Sequence, residues 1–179
     1  MIKKILLGIA GVLVLGVAVV VAIASTKPDE FRVQRSATIN ASPEKIQPLI
    51  NDLRAFSRWS PYEQKDPAMK RSYSGPDSGK GASYAWDGDS NVGKGRITIT
   101  DSTPTKVSLN LDMLDPMEAH NLVEFTLQPQ GEATLVTWSM RGKCPYLGKI
   151  AQVFFDMDTM VGGDFVAGLA SLKAIAEKQ

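Results

Sequence analysis

The side chains that most often perform catalysis are scarce in this sequence. It contains one histidine, His120, and one cysteine, Cys144. A single cysteine excludes an intrachain disulfide and a cysteine-based metal cluster. His120 falls on the more polar face of an alternating stretch, so we predict that it points to solvent. Without it, the interior has no general base of near-neutral pKa, unless burial strongly shifts the pKa of a carboxylate.

Two glycine-rich segments partly match known ligand-binding loops. The segment "GPDSGKGAS" is one residue shorter than a phosphate-binding loop and has Gly81 where Ser or Thr should follow the lysine. The segment "DGDSNVGKG" spaces Asp87, Asp89 and Asn91 as a calcium loop does. Its glycine comes one place late, however, and Thr98 stands where a bidentate Glu is needed. Both segments therefore predict hairpin turns, and we expect neither a cofactor nor a metal.

One carboxylate falls in an apolar setting, Asp164 in the last helical stretch. When residues 150–175 are projected as one helix, the apolar arc includes Met160 and Asp164, and Gly168 lies near its centre. A carboxylate there must be hydrogen-bonded, protonated or hydrated, so its partner is either a nearby Trp or Tyr or a ligand. We predict that Gly168 leaves room for a ligand, whereas Gly162 and Gly163 mark a bend at the midpoint of the helix. The alternative is that Gly168 lets a strand or the helix layer approach closely.

Aromatic and methionine side chains share faces of the predicted strands. If these faces meet the last helix, the side chains either form an ordinary core or line a cavity, since wide rings and flexible methionines suit adaptable apolar pockets. The residues that we predict to line such a cavity are Trp59, Tyr84, Trp86, Met113, Trp138, Met140, Met157, Asp164 and Gly168.

Hydrophobic periodicity predicts the elements that position these residues. Residues 31–39 alternate as a first strand, and two short helices follow, the second ending before Pro61. Short turns then separate six further strands, which implies an antiparallel meander. These strands are predicted at 69–75, 81–88, 93–101, 106–114, 117–129 and 133–142. The chain closes with a long helix, so the sequence predicts an α+β fold in which a curved seven-stranded antiparallel sheet grips that helix.

The N-terminal segment differs in composition from the rest. Residues 5–24 carry no charge, and twenty helical residues span about 30 Å, the thickness of a bilayer core. We interpret residues 1–25 as a membrane anchor, 26–30 as a linker and 31–179 as the ligand-binding domain. The alternative is a cleaved signal peptide, because residues 22–24 have the small-x-small form of a cleavage site. The short basic leader favours export of the soluble domain from a single-pass anchor in the cell membrane.

Four segments together resemble the START-like, or SRPBCC, helix-grip superfamily, specifically its polyketide cyclase/dehydrase and lipid-transport branch. They are "FRVQRSATINASPEKIQPLINDLRAFSRWSPY", "GKGASYAWDGDSNVGKGRITI", "EATLVTWSMRG" and "MVGGDFVAGLASLKAIAE". The resemblance covers residues 31–178 and implies a hydrophobic cavity between the sheet and the long helix. Members of such families bind lipids, sterols or polyketides, and some catalyse cyclisation or dehydration. No catalytic set of the family matches onto this sequence.

These observations leave three functional hypotheses. The leading one is a membrane-anchored domain that binds a small hydrophobic or amphiphilic, lipid-like ligand. The second is a cyclase- or dehydratase-like enzyme that uses Asp164 or a tyrosine as acid or base. The third is a partner-binding module with a filled core. The formal net charge of +1, with interspersed signs, gives no basic surface for nucleic acid. The oligomeric state is not defined by the sequence.

Overall fold

The computed structural model describes residues 2–154 and 156–178, apart from the side chains of residues 2–7 and 157. It contains a long N-terminal helix, a sheet with three short helical segments after its first strand, and two C-terminal helices. The bounds are α1 Ile2–Thr26, β1 Glu30–Ile39, α2 Pro43–Asn51, a 3₁₀ helix Ala55–Arg58, α3 Pro61–Lys65, β2 Lys70–Ser74, β3 Ser83–Asp87, β4 Lys94–Thr103, β5 Lys106–Asp115, β6 Ala119–Gln130, β7 Ala133–Lys143, α4 Tyr146–Phe154 and α5 Met157–Ala176.

The seven strands form one antiparallel sheet in the order β1-β7-β6-β5-β4-β3-β2. Strands β2 to β7 pair as a meander, because short turns connect each one to the next, and β1 closes the order beside β7. The predicted seven-stranded helix-grip fold is therefore confirmed. At one end of the sheet, Glu30 of β1 lies opposite Lys143 of β7, and Asn121 of β6 lies opposite Gly142.

Helix α5 covers the inner face of the sheet. Phe165, Leu169, Leu172 and Ala176 are buried, and their spacing places them on one side of the helix. The ring of Phe165 stacks on that of Trp138 in β7, with 4.0 Å between the centroids. This contact joins the helix to β7, the strand beside the edge strand β1.

The C-terminal region is two helices, and the predicted bend at the glycine pair is wrong. Helix α4 ends at Phe154, whereas α5 begins at Met157 and runs unbroken through Gly162 and Gly163. Asp156 caps α5, because its carboxylate accepts a hydrogen bond from the Asp158 backbone N–H. The projection of residues 150–175 as one helix therefore has the wrong phase, and Met160, which it placed inside, is 62 % exposed.

Helix α3 was not predicted, because Pro61 was read as the end of a helix and is in fact the first residue of one. Its fixed φ suits the first helical turn, where the missing N–H has no helical partner. Helix α3 and the residue before it bring the side chains of residues 60–63 towards the sheet.

The N-terminal helix α1 is apolar along its length, and residues 8–26 are long and apolar enough to cross a membrane. Residues 158–176 pass the same test, but a third of them are buried against the domain, as in a core helix. Helix α1 contacts α4, and the Tyr146 hydroxyl donates to the Val21 carbonyl at 3.5 Å. Ala24 is fully buried in this contact region.

Candidate functional site

A largely apolar cavity of about 280 Å³ lies between the concave face of the sheet, α3 and α5. Its size is at the lower end of the range found for small-molecule sites. Most of its wall comes from strands β3 to β7, whose alternating residues face inward. The residues that line it are Phe56, Ser60, Tyr62, Glu63, Met69, Tyr84, Trp86, Asn91, Val92, Ile97, Leu109, Leu111, Met113, Asn121, Val123, Phe125, Trp138, Met140 and Phe165.

Five of the nine residues predicted to line a cavity belong to this wall. All five lie on strands and were found from period-two alternation. They are Tyr84, Trp86, Met113, Trp138 and Met140.

Trp86 is held across the cavity wall by two contacts. Its indole N–H donates to the Val92 carbonyl at 3.1 Å. Its ring also lies over Gly95 of the next strand, where a Cβ atom would come within 2.7 Å of the Trp86 Cη2 atom. The ring therefore occupies the space that a side chain at position 95 would take.

Trp59, which was predicted to line the cavity, lies behind its wall instead. It is fully buried, and its indole N–H donates to the Leu49 carbonyl at 2.8 Å. Its ring meets those of Phe125 and Trp138 edge-on, at 5.9 and 5.6 Å between centroids. Trp59 thus supports two lining residues from behind. The residue type alone did not distinguish a tryptophan that lines the cavity from one that packs behind its wall.

Gly168 does not leave room for a ligand. A Cβ atom at this position would lie 2.7 Å from Cζ3 of Trp138 and 3.1 Å from Cδ of Pro61. The alternative reading of close packing is therefore correct. The space beside Gly162 is also occupied, because the Arg35 guanidinium lies where a Cβ atom at this position would be. Gly163 faces open space.

Asp164 is paired outside the cavity wall. Its carboxylate accepts a charge-assisted hydrogen bond from Lys65 at 2.7 Å, and its side chain retains 22 % exposure. The adjacent Tyr62 lines the cavity, and burial, together with the Asp164 charge, raises the pKa of its phenol. The Met157 side chain lies outside the described residues.

His120 is exposed, as predicted, and lies on the outer face of the sheet. Its Nδ1 atom is 2.7 Å from the Asp112 carboxylate, and its side chain is 79 % exposed. It therefore cannot serve the cavity as a general base.

Glu63 is the functional candidate that the sequence reasoning missed. It is buried in the cavity wall, where its Oε1 atom accepts from the Tyr84 hydroxyl at 2.6 Å and its Oε2 atom from Arg71 Nε at 2.8 Å. Burial and the hydrogen bond to Glu63 raise the pKa of Tyr84, so the phenol stays protonated at neutral pH and acts as a donor. The site can therefore form directed hydrogen bonds within an apolar space.

A sequence signal for Glu63 did exist. Residues 60–63 read S-P-Y-E, the pattern of a capping box, in which Ser and Glu each bond the other's backbone N–H. In the structure Ser60 precedes α3 but makes no side-chain capping bond, and Glu63 bonds Arg71 and Tyr84 instead. Both side chains belong to the cavity wall, so the sequence motif is present but its side-chain capping hydrogen bonds are not formed.

Two further polar atoms in the wall have no hydrogen-bond partner among the described residues. They are Asn121 Oδ1 and Trp138 Nε1, and both are enclosed. The Asn121 amide lies against Gly142, and the Trp138 ring is surrounded by Trp59, Phe125 and Phe165. Both atoms are packed into the wall and are not open to the cavity.

Comparison with known proteins identifies a family and a fold. The family described as polyketide cyclase/dehydrase and lipid transport matches residues 30–177, which include every strand and all of α5. No functionally curated protein matches the chain.

Solved structures share the fold at low sequence identity. Protein CV1439 from Chromobacterium violaceum has 15 % identity and a TM-score of 0.59, covering 84 % of this chain and 99 % of its own. Truncated norcoclaurine synthase from Thalictrum flavum has 11 % identity and a TM-score of 0.63, covering 84 % and 95 %. The di-domain ARO/CYC protein StfQ of the steffimycin biosynthetic pathway has 11 % identity and a TM-score of 0.63, covering 83 % and 51 %.

Proposed function

Because the chain belongs to the polyketide cyclase/dehydrase and lipid transport family, we propose that it binds a small hydrophobic or amphiphilic ligand. The ligand occupies the cavity between the sheet and α5, and binding takes place at a membrane. The observation that carries the proposal is the cavity itself. An apolar space of about 280 Å³ is far larger than the packing voids of a typical core, and a water molecule occupies roughly 30 Å³ of liquid. The filled-core hypothesis does not explain such a space.

The volume limits the ligand. A volume of about 280 Å³ suits one short chain or a small ring system better than a two-chain phospholipid. We therefore propose a single-chain or small cyclic ligand.

The position of α1 supports the membrane part of the proposal. Only residues 27–29 separate it from β1, so it leaves the domain at the sheet end that contains Glu30 and Lys143. The partly exposed lining residues Met113 and Asn121 lie at this same end. A ligand dissolved in the membrane would thus meet the more accessible side of the cavity.

Exposed apolar side chains cluster at the same sheet end. Helix α4 follows directly after β7 and exposes Leu147 and Phe154, 71 % and 66 % exposed. The β5–β6 turn exposes Leu114 and Met117. Apolar groups beside a helix of membrane-spanning length favour contact with the bilayer interface over exposure to water.

A cavity-filling variant tests the binding proposal. Val123→Phe adds volume in the cavity wall, whereas Val166→Phe makes the same change at an exposed position of α5. The full chain is extracted gently into amphipol and examined by native mass spectrometry. We expect a co-purified small lipophile in the unaltered chain and in Val166→Phe, but less of it in Val123→Phe. Equal amounts in both variants, or none in the unaltered chain, would overturn the proposal.

A further inference from the structure

Three buried polar side chains of the cavity are gathered at one place, beside α3. Ser60, Glu63 and Tyr84 all line the cavity, and each is more than nine-tenths buried. The rest of the wall is mainly aliphatic and aromatic, and its other polar residues are Tyr62, Asn91 and Asn121. The cavity is thus itself amphiphilic, with a polar end and an apolar body.

Ser60 has a hydroxyl without a partner. It makes no capping bond to α3 and no side-chain hydrogen bond to any residue that the structure describes, although it is 7 % exposed. The oxygen keeps accessible surface, because it is not one of the enclosed polar atoms that lack a partner. Since Ser60 lines the cavity, a ligand group in the cavity can bond this hydroxyl.

Glu63 retains acceptor capacity next to that hydroxyl. Each of its two oxygens accepts one protein hydrogen bond, and a carboxylate has about four acceptor positions. Ser60 directly precedes α3 and Glu63 lies in its first turn, where the Glu63 backbone N–H donates to the Ser60 carbonyl at 3.3 Å, so the two residues are neighbours in the cavity wall. A single oxygen atom placed between them can accept from Ser60 and donate to Glu63.

The charges around this polar end are already paired. Arg71 bonds the Glu63 carboxylate at 2.8 Å, and Lys65 bonds Asp164 at 2.7 Å. A charged ligand group would find no free counter-ion there, and burial of an unpaired charge is strongly unfavourable. The polar end therefore suits a neutral group that both donates and accepts.

We propose that Ser60, Glu63 and Tyr84 form a subsite for the hydroxyl group of a small uncharged alcohol whose apolar body fills the rest of the cavity. This inference rests on the proposed binding function and names its ligand class. A carboxylate ligand is disfavoured because it would face Glu63, and an ether or hydrocarbon cannot donate to that residue.

Three ligands of similar size test the subsite on the unaltered full chain in amphipol. The probes are 1-octanol, its isomer heptyl methyl ether, which lacks the donor, and octanoate, which carries a charge. Isothermal titration should give an affinity for 1-octanol at least tenfold above the affinities for the other two. Comparable affinities for all three would overturn the subsite while leaving the binding function intact. Failure of all three to bind, or binding that Val123→Phe does not weaken, would instead count against the binding function.

Two serine variants locate the effect. Ser60→Ala should weaken 1-octanol binding about five- to tenfold and leave heptyl methyl ether unchanged. Ser57→Ala is the matched control, because Ser57 is exposed and its hydroxyl donates to the Arg54 carbonyl. Loss of affinity for both ligands in Ser60→Ala would indicate a change of cavity shape and would contradict the hydroxyl contact.

Discussion

At position 168 the space that a side chain would need is occupied by Trp138 and Pro61. Trp138 cannot move aside, because its ring is stacked on Phe165 and contacts the aromatic residues behind it. We expect Gly168→Ala to lower the free energy of unfolding by about 1–3 kcal/mol through overpacking, despite the better helix propensity of alanine. Thermal and denaturant unfolding of the full chain measure this change.

Gly163 supplies the control for that substitution. It lies in the same helix and faces open space, so Gly163→Ala should hold stability or raise it by up to about 1 kcal/mol. If Gly168→Ala proved as stable as Gly163→Ala, the inferred close packing of Trp138 against position 168 would be contradicted. Open space at position 168 would then be the better explanation.

The phenols of Tyr62 and Tyr84 give the protein a dependence on alkaline pH. Burial is the main cause that raises both pKa values above the ordinary phenol value of 10.0, so the folded state keeps two protons that the unfolded state releases. Below pH 10 the two states hold the same protons and stability is unaffected. Above pH 10 the unfolded state binds fewer protons, and stability falls as pH rises.

This dependence is measured by near-ultraviolet absorbance of phenolate. Above pH 10, the folded chain should show less phenolate than the chain in denaturant. Tyr84→Phe should reduce the difference, because it removes one of the protected phenols. A folded protein whose phenolate signal equals that of the unfolded chain would contradict the burial of these hydroxyls.

At the scale of elements, the junction between α4 and α5 depends on one cap. The Asp156 carboxylate accepts from the Asp158 N–H at 3.1 Å and from the Thr159 hydroxyl at 2.5 Å. We expect Asp156→Ala to lower the melting temperature, whereas Asp156→Asn, which keeps the acceptor, should retain most of the stability. Similar melting of the two variants would show that packing, not the cap, starts α5.

The strands were more predictable than the helices, for a physical reason. Along β6, the burial of residues 122–127 alternates strictly, and such a register fixes which side chains face inward. The phase of a helix is less protected, because α4 ends at Phe154 and α5 begins anew at Met157, which rotates every later position relative to a single continuous helix. The predicted arc therefore included Met160 and omitted Phe165, which is fully buried.

The polar part of the site was less predictable than the apolar part. Tyr84 and Trp138 were found because large residues on alternating positions face a core. Glu63 belongs to a five-residue helix, which is too short to show a periodicity. Its partners Arg71 and Tyr84 lie 8 and 21 residues further along the chain, on other elements. Pairings of this kind arise from the tertiary fold and leave no local pattern.

At the scale of the whole molecule, we expect the mature protein to keep residues 5–24 and to fractionate with membranes. The contact of α1 with α4, through Val21 and Tyr146, gives the helix a place in the folded protein that a discarded signal peptide would not need. Intact mass spectrometry decides the point, since a chain starting at Ser25 would contradict the anchor. A reporter at the C-terminus that is active only in the cytoplasm would contradict export of the domain.

The three residues between α1 and β1 also limit how the protein can move. Fully extended, residues 27–29 reach only about 10 Å, and the Lys149–Asp29 ion pair, 2.5 Å between Nζ and Oδ1, draws this segment towards α4. With α1 in a bilayer, the domain can diffuse in the plane of that bilayer but cannot cross an aqueous gap to a second one. A ligand would thus be taken up and given back on the same side of one membrane, as in a local store or sensor, and not as in a shuttle between compartments.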